Sequence, residues 1–171
     1  MEGEQSDKDV IIRDATFFDI DPLTNLRPPR GLHVDRIRDP QLSADARYIV
    51  AESNGKPVGF GVIHFQGDPL WDRPDQVPLV MDLWVDPDLR GRGIGKKVLR
   101  ALEQSAREKG FSCVFLQVQP EKNPRAIELY RKLGYQPLQS KPYPDLYHTV
   151  DDEGNVREGT QLIVDMRKLL D

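Results

Sequence analysis

VMDLWVDPDLRGRGIGKKVL, residues 80–99, changes periodicity twice within a short span. Residues 79–85 alternate like a half-buried strand, with Leu79, Met81, Leu83 and Val85 expected on one face and Val80, Asp82 and Trp84 on the other. Past the glycines, Ile94, Val98, Ala101, Leu102 and Ala106 recur at amphipathic-helix spacing, and Gly110 stands where a left-handed cap belongs. RGRGIG thus sits at the mouth of a helix. The first helical turn carries N–H groups with no intrahelical acceptor and a partial positive charge, and glycines let an anion approach without a Cβ in the way. This is how a chain receives phosphate, although the same glycines also suit a plain tight turn into a helix.

Spacing rules out two phosphate motifs. A P-loop needs four residues between its first glycine and Gly-Lys, then Ser or Thr; only three separate Gly91 from Gly95, and Lys97 follows Lys96. A dinucleotide fingerprint needs glycine at 96 or 98, where the chain has Lys96 and Val98.

Outward from this stretch, YIVAE and VGFGVIHF read as two strands joined through Asn54-Gly55, a strong hairpin signal. VIIRDAT predicts a first strand, and FFDIDPLTNL permits only a short helix. GDPLWDRPDQVP, residues 67–78, reads as a loop long enough to serve as a lid, with Trp71 placed to close over a substrate. CVFLQV reads as a strand covered on both faces, and strand, helix, strand implies a right-handed parallel crossover. Asn123 as N-cap with Pro124 at the first helical position predicts a second helix, lined by Ala126, Leu129, Tyr130 and Leu133 and ended by Gly134. YQPL, LYHTV and TQLIVDMRKLL read as further strands around the acidic turn Asp151, Asp152, Glu153, with Leu162, Val164 and Met166 on one face.

The 171 residues suffice for one domain, expected over 10–171 behind a flexible tail at 1–9. A net charge of -4 disfavours a general nucleic-acid coat, and RGRG alone is a weak RNA arm without an aromatic platform. No run of about 18 apolar residues offers a membrane span. The single cysteine, Cys113, and the lack of any CxxC or Cys/His cluster point to a reducing, cytoplasmic setting without structural zinc; Cys113 reads as a core thiol rather than a nucleophile.

VMDLWVDPDLRGRGIGKKVL resembles the acetyl-CoA-binding motif of the GNAT superfamily of N-acetyltransferases, whose [QR]xxGx[GA] pattern is met by Arg90, Gly93 and Gly95. NPRAIELYRKLGY, residues 123–135, resembles the family's second cofactor segment. The resemblance covers roughly residues 10–170 and is specific over 79–137. It implies an α/β fold with a mixed, mostly antiparallel sheet, a splayed parallel central strand pair and flanking helices. It also implies acetyl-CoA as cosubstrate, no metal, and direct transfer to a primary amine of a small molecule or peptide. By the same resemblance the cosubstrate meets Leu83, Trp84, Val85, Arg90, Gly91, Arg92, Gly93, Ile94, Gly95, Lys96 and Asn123, and Tyr130 is the proton donor to the leaving thiolate.

The base is less determined. Where many relatives place a strand glutamate, this chain has Leu79, Val80 and Met81. Asp82 is the candidate, with a salt-bridged strand aspartate as the plainer reading; His64 is a second candidate, with a structural histidine as its plainer reading. A lysine-like amine needs about 4.6 kcal/mol to reach its neutral form at pH 7, an α-amino group about 1. A non-catalytic acyl-CoA-binding module is the alternative function. The acceptor is expected to be recognised by the first fifty residues, the 67–78 loop and the 139–159 segment, which match no motif. Monomer and homodimer are equally compatible with the sequence.

Overall fold

The computed structural model describes residues 9–38, 45–66 and 77–171. The expected tail at 1–8 and most of the expected lid, including Trp71, lie outside the described residues. Among the described residues, β1 (Ile11–Asp14), β2 (Ala46–Ser53), β3 (Lys56–His64), β4 (Leu79–Val85), β5 (Cys113–Val118), β6 (Gln136–Pro137), β7 (Tyr143–Val150) and β8 (Val156–Leu169) hydrogen-bond in the order β1-β2-β3-β4-β5-β8-β6, with β7 pairing β8. The chain divides into two compact units, Met1–Val62 with Asp82–Gln104, and Ile63–Met81 with Ser105–Asp171.

In the first unit, β1 (Ile11–Asp14) runs antiparallel to β2 (Ala46–Ser53), pairing Ile11 with Glu52 and Asp14 with Ile49. β2 turns into β3 (Lys56–His64) through Asn54 and Gly55, whose φ values of 52° and 76° are those of a type I′ hairpin. Behind β1, a 3-10 turn at Phe17–Asp19 leads into α1 (Ile20–Leu26). Asp19, 3 % exposed, anchors this corner: it accepts from Arg13 Nη1 and Nη2 at 2.7 and 2.8 Å and from the Thr16 N–H at 2.8 Å. Burial alone would raise the Asp19 pKa, but Arg13 and Thr16 together hold it below the ordinary carboxylate value.

α2 (Arg30–Arg38) follows directly, a helix the sequence does not announce because its apolar residues share no stripe. It is held by His33, fully buried against Tyr48 and Phe60 beside a cluster of Leu23, Tyr48, Val50, Phe60 and Val62.

The long helix expected after the glycines is α3 (Ile94–Glu108), burying Ile94, Val98, Leu99, Leu102 and Ala106. Its first turns lie close on β3, at two glycines. A Cβ on Gly61 would come within 2.9 Å of Val98 Cγ1 and 3.0 Å of Leu102 Cδ1; one on Gly59 would come within 2.9 Å of the Trp84 carbonyl oxygen. The helix ends as expected, with Gly110 N–H on the Arg107 carbonyl and Phe111 N–H on that of Ala106.

In the second unit, the start of β4 (Leu79–Val85) runs parallel to β5 (Cys113–Val118) through two register pairs, Leu79 with Phe115 and Val80 with Leu116. β4 continues to Val85 beyond the last of them. β5 pairs antiparallel with β8 (Val156–Leu169), which also pairs with β6 (Gln136–Pro137) and, over its N-terminal half, with β7 (Tyr143–Val150). The mixed, mostly antiparallel α/β architecture matches the expectation. The acidic run closes the β7–β8 turn, where the Asp151 N–H meets the Asn155 carbonyl at 3.0 Å. Asp165, 1 % exposed, ties this unit together, accepting from Gln117 Nε2 at 3.1 Å, Gln139 Nε2 at 2.9 Å and the Tyr143 hydroxyl.

Four details depart from the sequence reading. Asp82 has φ 49°, which interrupts the pleat, so the alternation expected along 79–85 does not run through. In β8 the four consecutive residues 163–166 are buried, so Leu162, Val164 and Met166 do not define a single covered face. α4 (Ala126–Lys132) starts later than Pro124: Arg125 is the N-cap, and Asn123 serves a preceding turn by accepting the Ala126 N–H at 3.1 Å. With the helix so shortened, Leu129 is 54 % exposed instead of lining a packed side.

Because α3 lies on β3 without room for a Cβ, Gly61→Val should lower stability by about 1–3 kcal/mol. Urea unfolding checks this; an unchanged midpoint would show that the helix can stand off at no cost.

Candidate active site

The expected residues divide between the two units. Asp82, Leu83, Trp84, Val85 and the loop from Arg90 to Lys96 belong to the first, Asn123 and Tyr130 to the second.

In the first unit, the sequence VDPDL shapes the approach to the loop. Asp86 accepts the Asp88 N–H at 3.0 Å, Pro87 opens a 3-10 turn to Leu89, and the Asp86 N–H bonds to the Val58 carbonyl of β3 at 2.8 Å. The chain then passes through Gly91 and Gly93 at φ 79° and 82°, a conformation costly for any residue with a Cβ. A Cβ at Gly91 would meet nothing within 4 Å, so its glycine answers to backbone conformation alone. Lys97 N–H closes the first helical bond on the Gly93 carbonyl at 3.0 Å, which leaves the N–H groups of Ile94, Gly95 and Lys96 without intrahelical acceptors. Ile94 is buried and anchors the turn, while Arg92 and Lys96 are exposed. The cradle offers backbone donors, the dipole of a long helix and a cationic rim, which fits a diphosphate.

Arg90 does not join that rim freely. Its Nε donates to the Val85 carbonyl at 3.0 Å, and its Cζ lies 4.6 Å from the Trp84 ring centroid. Arg27, at the C-terminus of α1, stacks on the same indole at 4.5 Å. Asp82, where β4 leaves its ordinary pleat, pairs with Arg36 of α2 and faces Arg27 Nη1 at 3.9 Å. The carboxylate considered as a base is therefore engaged by two guanidinium groups. Burial lowers the Arg27 pKa from its ordinary value, and the neighbouring Arg90 charge adds to this. The Trp84 Nε1–H is buried and meets no acceptor among the described residues.

His33 fixes Arg27 from behind. Its Nε2 lies 2.7 Å from the Arg27 carbonyl, an acceptor only, so Nε2 carries the proton; Nδ1 then accepts from the Tyr48 hydroxyl at 2.6 Å. The contact from Tyr48 needs the neutral ring; the Arg27 carbonyl favours the charged one, but burial outweighs it and lowers the His33 pKa. Arg27, Arg36, His33 and Tyr48 carry no motif; they come together only because α1 and α2 fold over β2 and β4. The one hint in the sequence is the density of arginine between residues 27 and 38.

In the second unit, Asn123 is exposed in the turn before α4. Tyr130 is partly buried, edge-on to the fully buried Tyr135 with ring centroids 5.9 Å apart. Desolvation raises its pKa above that of an ordinary phenol, so it holds its proton well past neutrality. No hydrogen bond of its hydroxyl occurs among the described residues, which leaves that proton available. His64, the other candidate base, is 5 % exposed on β3.

Residues 16–135 match the family model described as Acetyltransferase (GNAT) family. The chain belongs to this family. Among individual relatives, an uncharacterised N-acetyltransferase of Methanocaldococcus jannaschii is 38 % identical over 92 residues, covering 52 % of this chain and 38 % of that protein. The chain spans about half or less of the length of the curated relatives it first matches. Among solved structures, ribosomal-protein-alanine N-acetyltransferase from Brucella melitensis superposes with TM-score 0.67 at 20 % identity, over 94 % of this chain and 99 % of that one. A putative acetyltransferase from Salmonella typhimurium, solved with its cofactor acetyl-CoA, gives TM-score 0.67 at 20 % identity over 95 % of each chain. Among the described residues, no helix is long and apolar enough to cross a membrane.

The buried neutral His33 has a stability consequence. With its folded pKa below the ordinary value near 6.5, the unfolded chain binds the proton first, so stability falls as pH drops through about 6.5. Urea midpoints measured from about pH 7 to 5 should fall more for the wild type than for His33→Gln. Parallel curves would mean that the ring is charged in the fold.

Proposed function

We propose that this chain transfers the acetyl group of acetyl-CoA to a primary amine by direct attack. The observation that carries the reading is the cradle of Gly91, Gly93 and the free N–H groups of Ile94, Gly95 and Lys96, opening directly from β4. The family match and the acetyl-CoA bound by a protein of the same fold support it.

In this reading the backbone of residues 93–96 holds the diphosphate of the cosubstrate, with Arg92 and Lys96 adding charge at the rim. The ligand supplies an activated acyl group and a thiol leaving group. A backbone N–H near Leu83 or Trp84 donates to the thioester oxygen as charge gathers there. The acceptor nitrogen bonds to the acyl carbon, the carbon–sulfur bond breaks, and its electron pair leaves with sulfur. Tyr130 then protonates that sulfur, the nitrogen sheds its extra proton to water, and the phenolate regains a proton from solvent. Phenol to thiol is uphill by about 2 kcal/mol with ordinary pKa values, a gap acceptable when the transfer assists bond cleavage. Burial raises the phenol's pKa, which widens that gap.

No base is assigned to Asp82, whose carboxylate is taken up by Arg36 and Arg27. An acceptor with an α-amino group needs little help, since its neutral form costs about 1 kcal/mol at pH 7.

Two measurements test the reading. Calorimetry should detect acetyl-CoA binding to the wild-type chain, and Gly93→Val should weaken it about tenfold or more by closing the cradle. Tyr130→Phe should keep that affinity while thiol release falls at least about tenfold. Binding without turnover in the wild type, whatever the amine, would instead mark a regulatory acyl-CoA-binding module.

A further inference from the structure

Around the end of β4 the first unit gathers guanidinium groups. Arg27 and Arg90 stack on the Trp84 indole, and Arg27 and Arg36 face the Asp82 carboxylate. The other buried acid of this unit's helical corner, Asp19, is already held by Arg13. Asp82 satisfies Arg36 closely but stands at 3.9 Å from Arg27, the outer limit of an ion pair. Trp84 adds a buried Nε1–H without an acceptor among the described residues. Arg27 is costly as it stands: partly desolvated, repelled by Arg90, and stacked on an indole that cannot accept its hydrogen bonds. Yet it is held in place, with its carbonyl bonded to His33 and its N–H to the Leu23 carbonyl at 2.8 Å. A fixed, planar, under-satisfied guanidinium beside an unpaired N–H donor is complementary to a carboxylate.

We propose that Arg27, stacked on Trp84, binds a carboxylate of the acceptor, so that the substrate class is an amine carrying a carboxylate group: an amino acid or short peptide. This rests on the acetyltransferase reading and narrows it. Asp82 is then a positioning residue, orienting Arg36 and Arg27 rather than taking the acceptor's proton.

The test is thiol release from acetyl-CoA by the full chain with matched acceptors: amino acids and dipeptides, their C-terminal amides, and the amines lacking the carboxylate. The acids should exceed their amides in kcat/KM by about tenfold or more. Arg27→Gln should reduce that ratio to about threefold or less through KM for the acid, with KM for acetyl-CoA unchanged, and Arg27→Lys, which keeps a charge without the fork, should fall between. Asp82→Asn should raise KM for the acids while leaving the shape of the kcat against pH profile unaltered; loss of a basic limb in that profile would make Asp82 a base and overturn its positioning role. Amides or plain amines equal to the acids overturn the proposal, as does an Arg27→Gln effect confined to KM for acetyl-CoA, which would assign the guanidinium to a coenzyme phosphate. Silence of every acid while calorimetry still shows acetyl-CoA binding overturns it as well; loss of that binding in the wild type would instead sink the acetyltransferase reading. Should Arg27→Gln fail to fold, the Arg27→Lys ratio and competitive inhibition of the wild type by N-acetylated acids against their amides decide the matter in the same sense.

Discussion

The first unit depends on the close seat of α3 on β3. Two glycines, at 59 and 61, remove the Cβ atoms that would otherwise meet the Trp84 carbonyl and the side chains of Val98 and Leu102. With β4 beside β3 and the helix directly above, the turn joining β4 to α3 has little freedom in where it points. The direction of the helix dipole and the line of free N–H groups at its start follow from that packing. An anion site built from backbone donors works only if those donors are fixed before the ligand arrives, since ordering them on binding would cost affinity. The glycines of β3 therefore matter to the loop as much as the glycines within it.

A second constraint is the left-handed residue within β4. A non-glycine at φ 49° is costly, more readily tolerated by aspartate than by most residues, and stable only when its surroundings hold it. Here two arginines from the helical corner do so. The backbone bends where the parallel ladder has ended, and the same residue's carboxylate organises the charges beside Trp84. One position thus serves both backbone shape and electrostatics.

The second unit is stabilised differently. Asp165 is buried in β8 and accepts from glutamine and tyrosine donors on β5, on the β6–β7 connection and on β7, so the strands are cross-linked by a satisfied polar network as well as by their ladders. Against this frame α4 is short, and its tyrosine is half-buried against Tyr135 with its hydroxyl uncommitted among the described residues. Desolvation raises the pKa of that phenol above its ordinary value.

Much of this was legible in the sequence because local chemistry decides it. The 54–55 hairpin follows from two residues that accept positive φ, α3 from its apolar spacing between glycine signals, and the turn into α3 from the glycines at its mouth. Each of these is settled within a few residues of chain. The roles expected of Tyr130 and Asp82 were reached through resemblance, since nothing in a lone tyrosine or aspartate announces a role. What only the tertiary structure decided is the company kept by side chains far apart in sequence. Asp82 reads equally as a base or an ion-pair partner until Arg27 and Arg36 arrive from helices some fifty residues earlier, one of them lacking any apolar stripe. The start of α4 moved from Pro124 to Ala126 because a preceding turn claimed the Asn123 carbonyl. Sequence fixes what each residue can do alone; burial and charge pairing, which are properties of neighbours, fix which of those things it does.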